Sequence, residues 1–252
     1  MCRDATTHLG LRIIKIPPSP SEPTSMDSIL KRIIGFAMLV VVIWIFGGCH
    51  DENINSADQI VGSGRIAVRS MSFPSFSGIK LTGFGEVYVT QDTLSSVRLE
   101  VDDNVIDRVS VSVQDGNLVV GLPKGSYSNV TLKLHVSMKS VEYLEVSGAG
   151  SFATVGPIEV DVLTCRIVGA GEMTMSGHAA TENLSLDGAG SYRGFNLESS
   201  ACTVNLSGAG SAEVNVTHHL EASISGVGSV VYAGNPSEIV SHVSGMGSIQ
   251  RK

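Results

Sequence analysis

From about residue 65 onward, apolar and polar residues alternate at period two, the signature of strands with one buried face. The alternation is punctuated by a phrase that recurs six times: Ser147-Gly-Ala-Gly150, Val168-Gly-Ala-Gly171, Asp187-Gly-Ala-Gly190, Ser207-Gly-Ala-Gly210, Ser225-Gly-Val-Gly228 and Ser244-Gly-Met-Gly247. The leading glycines are Gly148, Gly169, Gly188, Gly208, Gly226 and Gly245, so the steps are 21, 19, 20, 18 and 19 residues. Two positions before each stand Val146, Ile167, Leu186, Leu206, Ile224 and Val243; four before stand Leu144, Cys165, Leu184, Val204, Ala222 and Ser241. Four positions after stand Phe152, Met173, Tyr192, Ala212, Val230 and Ile249. Each unit is therefore strand, Gly-X-Gly corner, strand, turn, which is one coil of a stacked repeat. The pattern predicts an all-β chain: a right-handed parallel β-helix of about 20 residues per coil, with equivalent residues stacked about 4.8 Å apart.

The glycines at the corners (148, 150, 169, 171, 188, 190, 208, 210, 226, 228, 245 and 247) are expected to be structural. A Cβ there would meet the coil beneath, or φ must be positive. The X residue is alanine four times and then Val227 and Met246, which suggests an interior that widens at the end.

Residues 65–140 are also strand-like but irregular. Strands are expected at 65–70, 76–81, 86–91, 97–101, 109–114, 117–121, 129–136 and 141–146. Asp115-Gly116 between two of them marks a hairpin. This stretch reads as an irregular, hairpin-bearing cap on regular coils over 141–252, the whole of 65–252 being one domain.

The beginning of the chain is different. Residues 1–25 hold Pro17, Pro18, Pro20 and Pro23 without periodicity and read as disordered, or as sequence upstream of a true start at Met26. Lys31-Arg32 and the apolar run Ile33–Phe46 follow, too short to span a bilayer but suited to a signal-peptide core. Phe46-Gly-Gly-Cys49 resembles a bacterial lipobox, which implies cleavage before Cys49 and lipid on its thiol. The assignment is thus a lipoprotein signal peptide over 26–48 and a polar tether over 49–64. His50-Asp51-Glu52 resembles the surface-export signal of Bacteroidetes lipoproteins.

Residues 49–252 carry 12 Lys/Arg against 21 Asp/Glu, or −9, which argues against a nucleic-acid partner. Gly-X-Gly lacks the third glycine, helix and acid of a dinucleotide site and the Gly-Lys-Ser/Thr of a P-loop. Period and aspartates do not match calcium-binding nonapeptide repeats. Asp102-Asp103-Asn104 is the densest acidic set and reads as a solvated turn. His218-His219 lacks partners at metal-ligand spacing. Cys165 and Cys202 fall two coils apart, beyond the roughly 7 Å limit for a disulfide, and are expected as free, buried, apolar-like thiols. The Asn-X-Ser/Thr acceptor patterns at Asn129, Asn183, Asn205 and Asn215 read as coincidental. Three positions before each leading glycine stand Glu145, Arg166, Ser185, Asn205, Ser223 and His242, an outward ladder. One carboxylate and one arginine are too few for a polysaccharide lyase, so no catalytic residue, cofactor or metal ligand is assigned. The ladder suits hydrogen bonding to a sugar or a protein surface.

Phe76-Ser-Gly-Ile-Lys-Leu, Glu86-Val-Tyr-Val-Thr-Gln, the serial Ser-Gly-Ala-Gly-Ser units and Val231-Tyr-Ala-Gly-Asn-Pro together resemble the auto-transporter adhesin head GIN domain family. The likeness spans about residues 70–251 and implies a β-helical fold in a cell-envelope or secreted setting. The expected function is a non-enzymatic lipoprotein, periplasm-facing or surface-exposed at the outer membrane, that binds an unknown glycan or protein at the cell surface. The alternatives are a degenerate carbohydrate-active β-helix and an envelope scaffold whose flat faces would support a homo-oligomer.

Overall fold

The computed structural model describes residues 59–252; Cys49, the signal peptide expected over 26–48 with the stretch before it, and most of the expected tether lie outside them. The strands are β1 Gln59–Val61, β2 Ile66–Met71, β3 Gly78–Gly83, β4 Glu86–Gln91, β5 Ser96–Asp102, β6 Ser110–Gln114, β7 Asn117–Gly121, β8 Ser126–Ser128 and β9 Leu132–Met138. They continue as β10 Tyr143–Gly148, β11 Ser151–Thr154, β12 Ile158–Gly169, β13 Glu172–Gly188, β14 Ser191–Gly208, β15 Ser211–Gly226, β16 Ser229–Gly234, β17 Glu238–Gly245 and β18 Ser248–Arg251. One short 3-10 turn, Ile106–Arg108, interrupts them.

The regular part is a parallel β-helix. β10 stacks on β12, β12 on β13, β13 on β14, β14 on β15 and β15 on β17, all parallel, with Gly148↔Gly169↔Gly188↔Gly208↔Gly226↔Gly245 in one register column. At each corner the leading glycine's carbonyl accepts a hydrogen bond from the X-residue amide of the next coil, as in Ala189 N–H to Gly169 O at 2.8 Å. Gly188 shows why glycine is required: its φ is +133°, and a Cβ would sit 2.4 Å from that same Gly169 oxygen. Gly190 is excluded from substitution differently. A Cβ there would enter the core 2.5 Å from Ile167 Cγ2.

The apolar columns lie inside. Ile79, Leu144, Cys165, Leu184, Val204 and Ala222 form one, and Leu81, Val146, Ile167, Leu186, Leu206 and Ile224 another, every member buried. Phe152 and Tyr192 alternate with smaller Met173 and Ala212 in a third, so the cross-section stays filled. The X residues lie outside the corners: Val227 is 54% and Met246 85% exposed. Their larger side chains therefore do not widen the interior. Among the described residues no strand stacks above β17, and its inward-facing Ile239 and Val243 are exposed.

The N-terminal part contains the antiparallel elements. β6 and β7 form the hairpin turned by Asp115 and Gly116, both at positive φ. β5 lies antiparallel between β2 and β9. The order of coils is not the order of the sequence. β3 and β4 make the first turn; the chain then lays β7 and β9 on one side of it and β10 and β11 on the other. Gly83-Phe84-Gly85 falls in register with Gly148 and Gly150, a seventh copy of the corner that lies outside the six-fold run.

Candidate functional site

The outward ladder is real as a row. Glu145, Arg166, Ser185, Asn205, Ser223 and His242 occupy successive rungs of one register line. Below Glu145 the line continues to Lys80. Neighbouring residues divide it into two halves. In the lower half the charges are engaged: Tyr143 OH donates to Glu145, Lys80 Nζ sits 5.4 Å over the Tyr143 ring, and Arg166 is 3.5 Å from Asp187. Partial burial and the Glu145 acceptor push the Tyr143 hydroxyl up to about 12.

In the upper half, Asn205, Ser223 and His242 line a shallow groove of about 540 Å³. Ser207, Ser225 and Ser244, each just before a leading glycine, add a second hydroxyl row, and Asp187 closes the lower end. Leu206, Ile224 and Val243 line it as well, so the groove offers apolar surface beside hydroxyls, an amide, an imidazole and one carboxylate already facing Arg166. Such a surface donates and accepts hydrogen bonds in a repeating array with little net charge.

Other sequence candidates resolve as structural. Asp102 is buried: one carboxylate oxygen accepts from the Gly64 amide at 2.6 Å and the other from the Thr131 amide at 2.7 Å. Asp103 pairs with Arg65 at 3.0 Å and accepts from Ser63, while Asn104 bonds the backbone at Val61 and Ser63. The acidic turn is thus a clamp on residues 61–65, not a solvated loop. His219 sits 3.1 Å from Glu238 on the next rung, and His218 bonds Thr217. Among the described residues no group of three His, Cys, Asp or Glu side chains is placed to hold a metal ion.

Cys165 and Cys202 are buried and free, on either side of a residue that sequence reasoning missed. Glu182 lies in the register column Leu163↔Glu182↔Cys202↔Leu220 and is fully buried. Both its oxygens and the Tyr192 hydroxyl lack hydrogen-bond partners. Burial raises the Glu182 carboxyl above its ordinary 4.5; Tyr192, Cys202 and Ser199 stand beside it and offset part of that without reaching hydrogen-bond geometry. Burial also raises both thiols and the phenol, and the neighbouring Glu182 adds to each. The signal was available: Glu182 stands six positions before Gly188, at the offset that Leu163, Cys202 and Leu220 hold in their own coils.

With the glycine column, the N-terminal hairpins and the groove in place, the comparisons with known proteins fall into line. The family model described as "Putative auto-transporter adhesin, head GIN domain" matches residues 75–236. The chain belongs to this family. Solved structures share the fold of this head GIN domain. A "putative adhesin" from Bacteroides fragilis is 22% identical, with a TM-score of 0.64 over 77% of this chain and all of its own. A "putative lipid binding protein" from Parabacteroides distasonis is 20% identical, with a TM-score of 0.51 over 77% of this chain and 99% of its own. A second "putative adhesin" from Parabacteroides distasonis gives 21% identity and 0.51 over 77% and 100%. No curated protein matches the chain.

Proposed function

We propose that this head GIN domain is a non-enzymatic binding module of the cell envelope, lipid-anchored through Cys49 and displaying its outward ladder to a glycan or protein partner. The observation that carries the reading is the groove over Asn205, Ser223 and His242. It stacks hydrogen-bond donors and acceptors at rung spacing beside the apolar Leu206, Ile224 and Val243, on a scaffold whose charges along the row, Asp187 included, are internally paired. Family membership supports an adhesin-like role, and the lipobox-like Phe46-Gly-Gly-Cys49 supports anchorage. The stacked strands beneath fix the backbone spacing of the array, which lowers the entropic cost of binding an extended partner.

The test is a glycan array and a cell-adhesion assay with the wild-type chain and with Asn205→Leu/His242→Leu. Both positions are on the outer face, so the fold should persist. Loss of the wild-type signal in the variant supports the groove; equal binding by both refutes it. A polysaccharide-degradation assay run alongside tests the carbohydrate-active alternative, which predicts new chain ends.

A further inference from the structure

A second pocket lies at the opposite part of the molecule, in the N-terminal cap. It has a volume of about 440 Å³ and is lined by Gln59, Ile60, Arg108, Pro123, Lys124, Gly125 and Tyr127. No carboxylate lines it. Arg108 and Lys124 are exposed, and neither joins an ion pair among the described residues, whereas nearby Arg65 and Arg69 are paired with Asp103 and Asp107. The walls are built. Tyr127 OH donates to Pro123 O at 2.9 Å, fixing the loop that carries Lys124, and its ring packs on Phe84 at 5.5 Å. β1 pairs with β8 from Gln59↔Ser126 to Val61↔Ser128, which ties together the strands that carry the lining residues Gln59, Ile60 and Tyr127.

We propose that this pocket binds the phosphate of a membrane lipid headgroup. Arg108 supplies a planar fork that matches phosphate oxygens, and Lys124 a second, compact point charge in the same lining. Charge is distributed to favour this orientation. Residues 59–140 hold eight Lys/Arg against seven Asp/Glu, or +1, and residues 141–252 hold four against eleven, or −7. An anionic surface therefore attracts the cap's unpaired cations and repels the coils that carry the groove. Chain length agrees. Only the residues 49–58 separate Cys49 from the first strand, so the pocket begins at most about 35 Å of extended chain from an anchored cysteine. The choice of a membrane rather than a free anion rests on the anchorage proposed above; the unpaired cations do not.

The experiment uses the full chain in a maltoside detergent, whose headgroup is uncharged. It is titrated with short-chain phosphatidic acid, with short-chain phosphatidylcholine and with inorganic phosphate, and the melting temperature is followed. Phosphatidic acid should bind at least tenfold more tightly than either of the others. Arg108→Gln/Lys124→Gln should weaken it at least tenfold, and Lys139→Gln, a surface change away from the pocket, should not. If the double variant fails to fold, Lys124→Gln alone on its exposed loop must still weaken binding severalfold. Unchanged affinity in these variants overturns the site. Equal affinity for inorganic phosphate leaves the pocket but overturns the membrane as its source. Mass spectrometry of Cys49 tests the anchor separately, so a failed anchor and a failed pocket give different results.

Discussion

Glu182→Leu is expected to stabilise the protein, against the usual direction of core substitutions. Both carboxyl oxygens are buried without partners in a column otherwise filled by Leu163, Cys202 and Leu220. Relief of an unsatisfied buried polar group is worth about 1–3 kcal/mol in protein mutational data. A pH-dependent part is added. Burial raises the folded carboxyl above 4.5, its unfolded value. Between those two values the unfolded state binds fewer protons than the folded one, so stability is fullest below about 4.5 and falls as pH rises towards the folded value. Each pH unit over which the folded group stays protonated costs about 1.4 kcal/mol. At neutral pH the leucine variant should gain at least about 2 kcal/mol, a melting shift of roughly 4–8 °C for a domain of this size. Calorimetry at pH 4.5 and pH 7.5 is the assay. The gain should be larger at the higher pH, and Glu182→Gln should remove the pH slope while leaving the unpaired polar atoms. A leucine variant less stable than wild type at both pH values, or a wild-type slope equal to that of the glutamine variant, refutes the reasoning.

Leu206→Asp places a charge among Leu186, Ile224 and their neighbours, forfeits about 1.5–3 kcal/mol of burial and adds an unpaired ion. Its melting temperature should collapse, and an unchanged value would contradict the inward column. Gly188→Ala forces a Cβ against Gly169 O at a φ disfavoured for L-residues, so denaturant unfolding should show a loss of at least about 2 kcal/mol. Asp102→Ala removes the acceptor of two backbone amides and should release residues 61–65, seen as fast hydrogen exchange at Gly64 and Thr131 and a loss of about 2–4 kcal/mol. The thiols of Cys165 and Cys202, raised by burial, should resist alkylation in the native protein and label only on unfolding. Native labelling at neutral pH would contradict that burial.

The regular coils were legible because each repeats the same offsets: the apolar positions two and four before the glycine, the outward position three before, and the apolar position four after all fall into single columns. What escaped was non-local. That Asp102 turns inward depends on the Gly64 and Thr131 amides reaching it from distant strands. That β3–β4 lies between β7–β9 and β10–β11 cannot be read from alternation, which gives strand faces but not neighbours. Gly83-Phe84-Gly85 escaped because 65 residues separate Gly83 from Gly148. Glu182 was masked by its own polarity, since binary pattern places an acid outside unless the repeat offset is followed. For the groove, composition showed hydroxyls and an imidazole on one line, but the pairing of Arg166 with Asp187, which leaves the upper half neutral, needed coordinates.

The glycine column has a consequence for how such a molecule changes length. Each coil meets its neighbours through the same seam and the same carbonyl-to-amide link, so a whole coil is an exchangeable part. Excising residues 189–208 would join Gly188 to Ala209 and rebuild the same corner, with Leu186 now carried beneath Ile224. A gene could gain or lose one turn by unequal recombination between its near-identical phrases, and the shorter or longer protein would still close every rung.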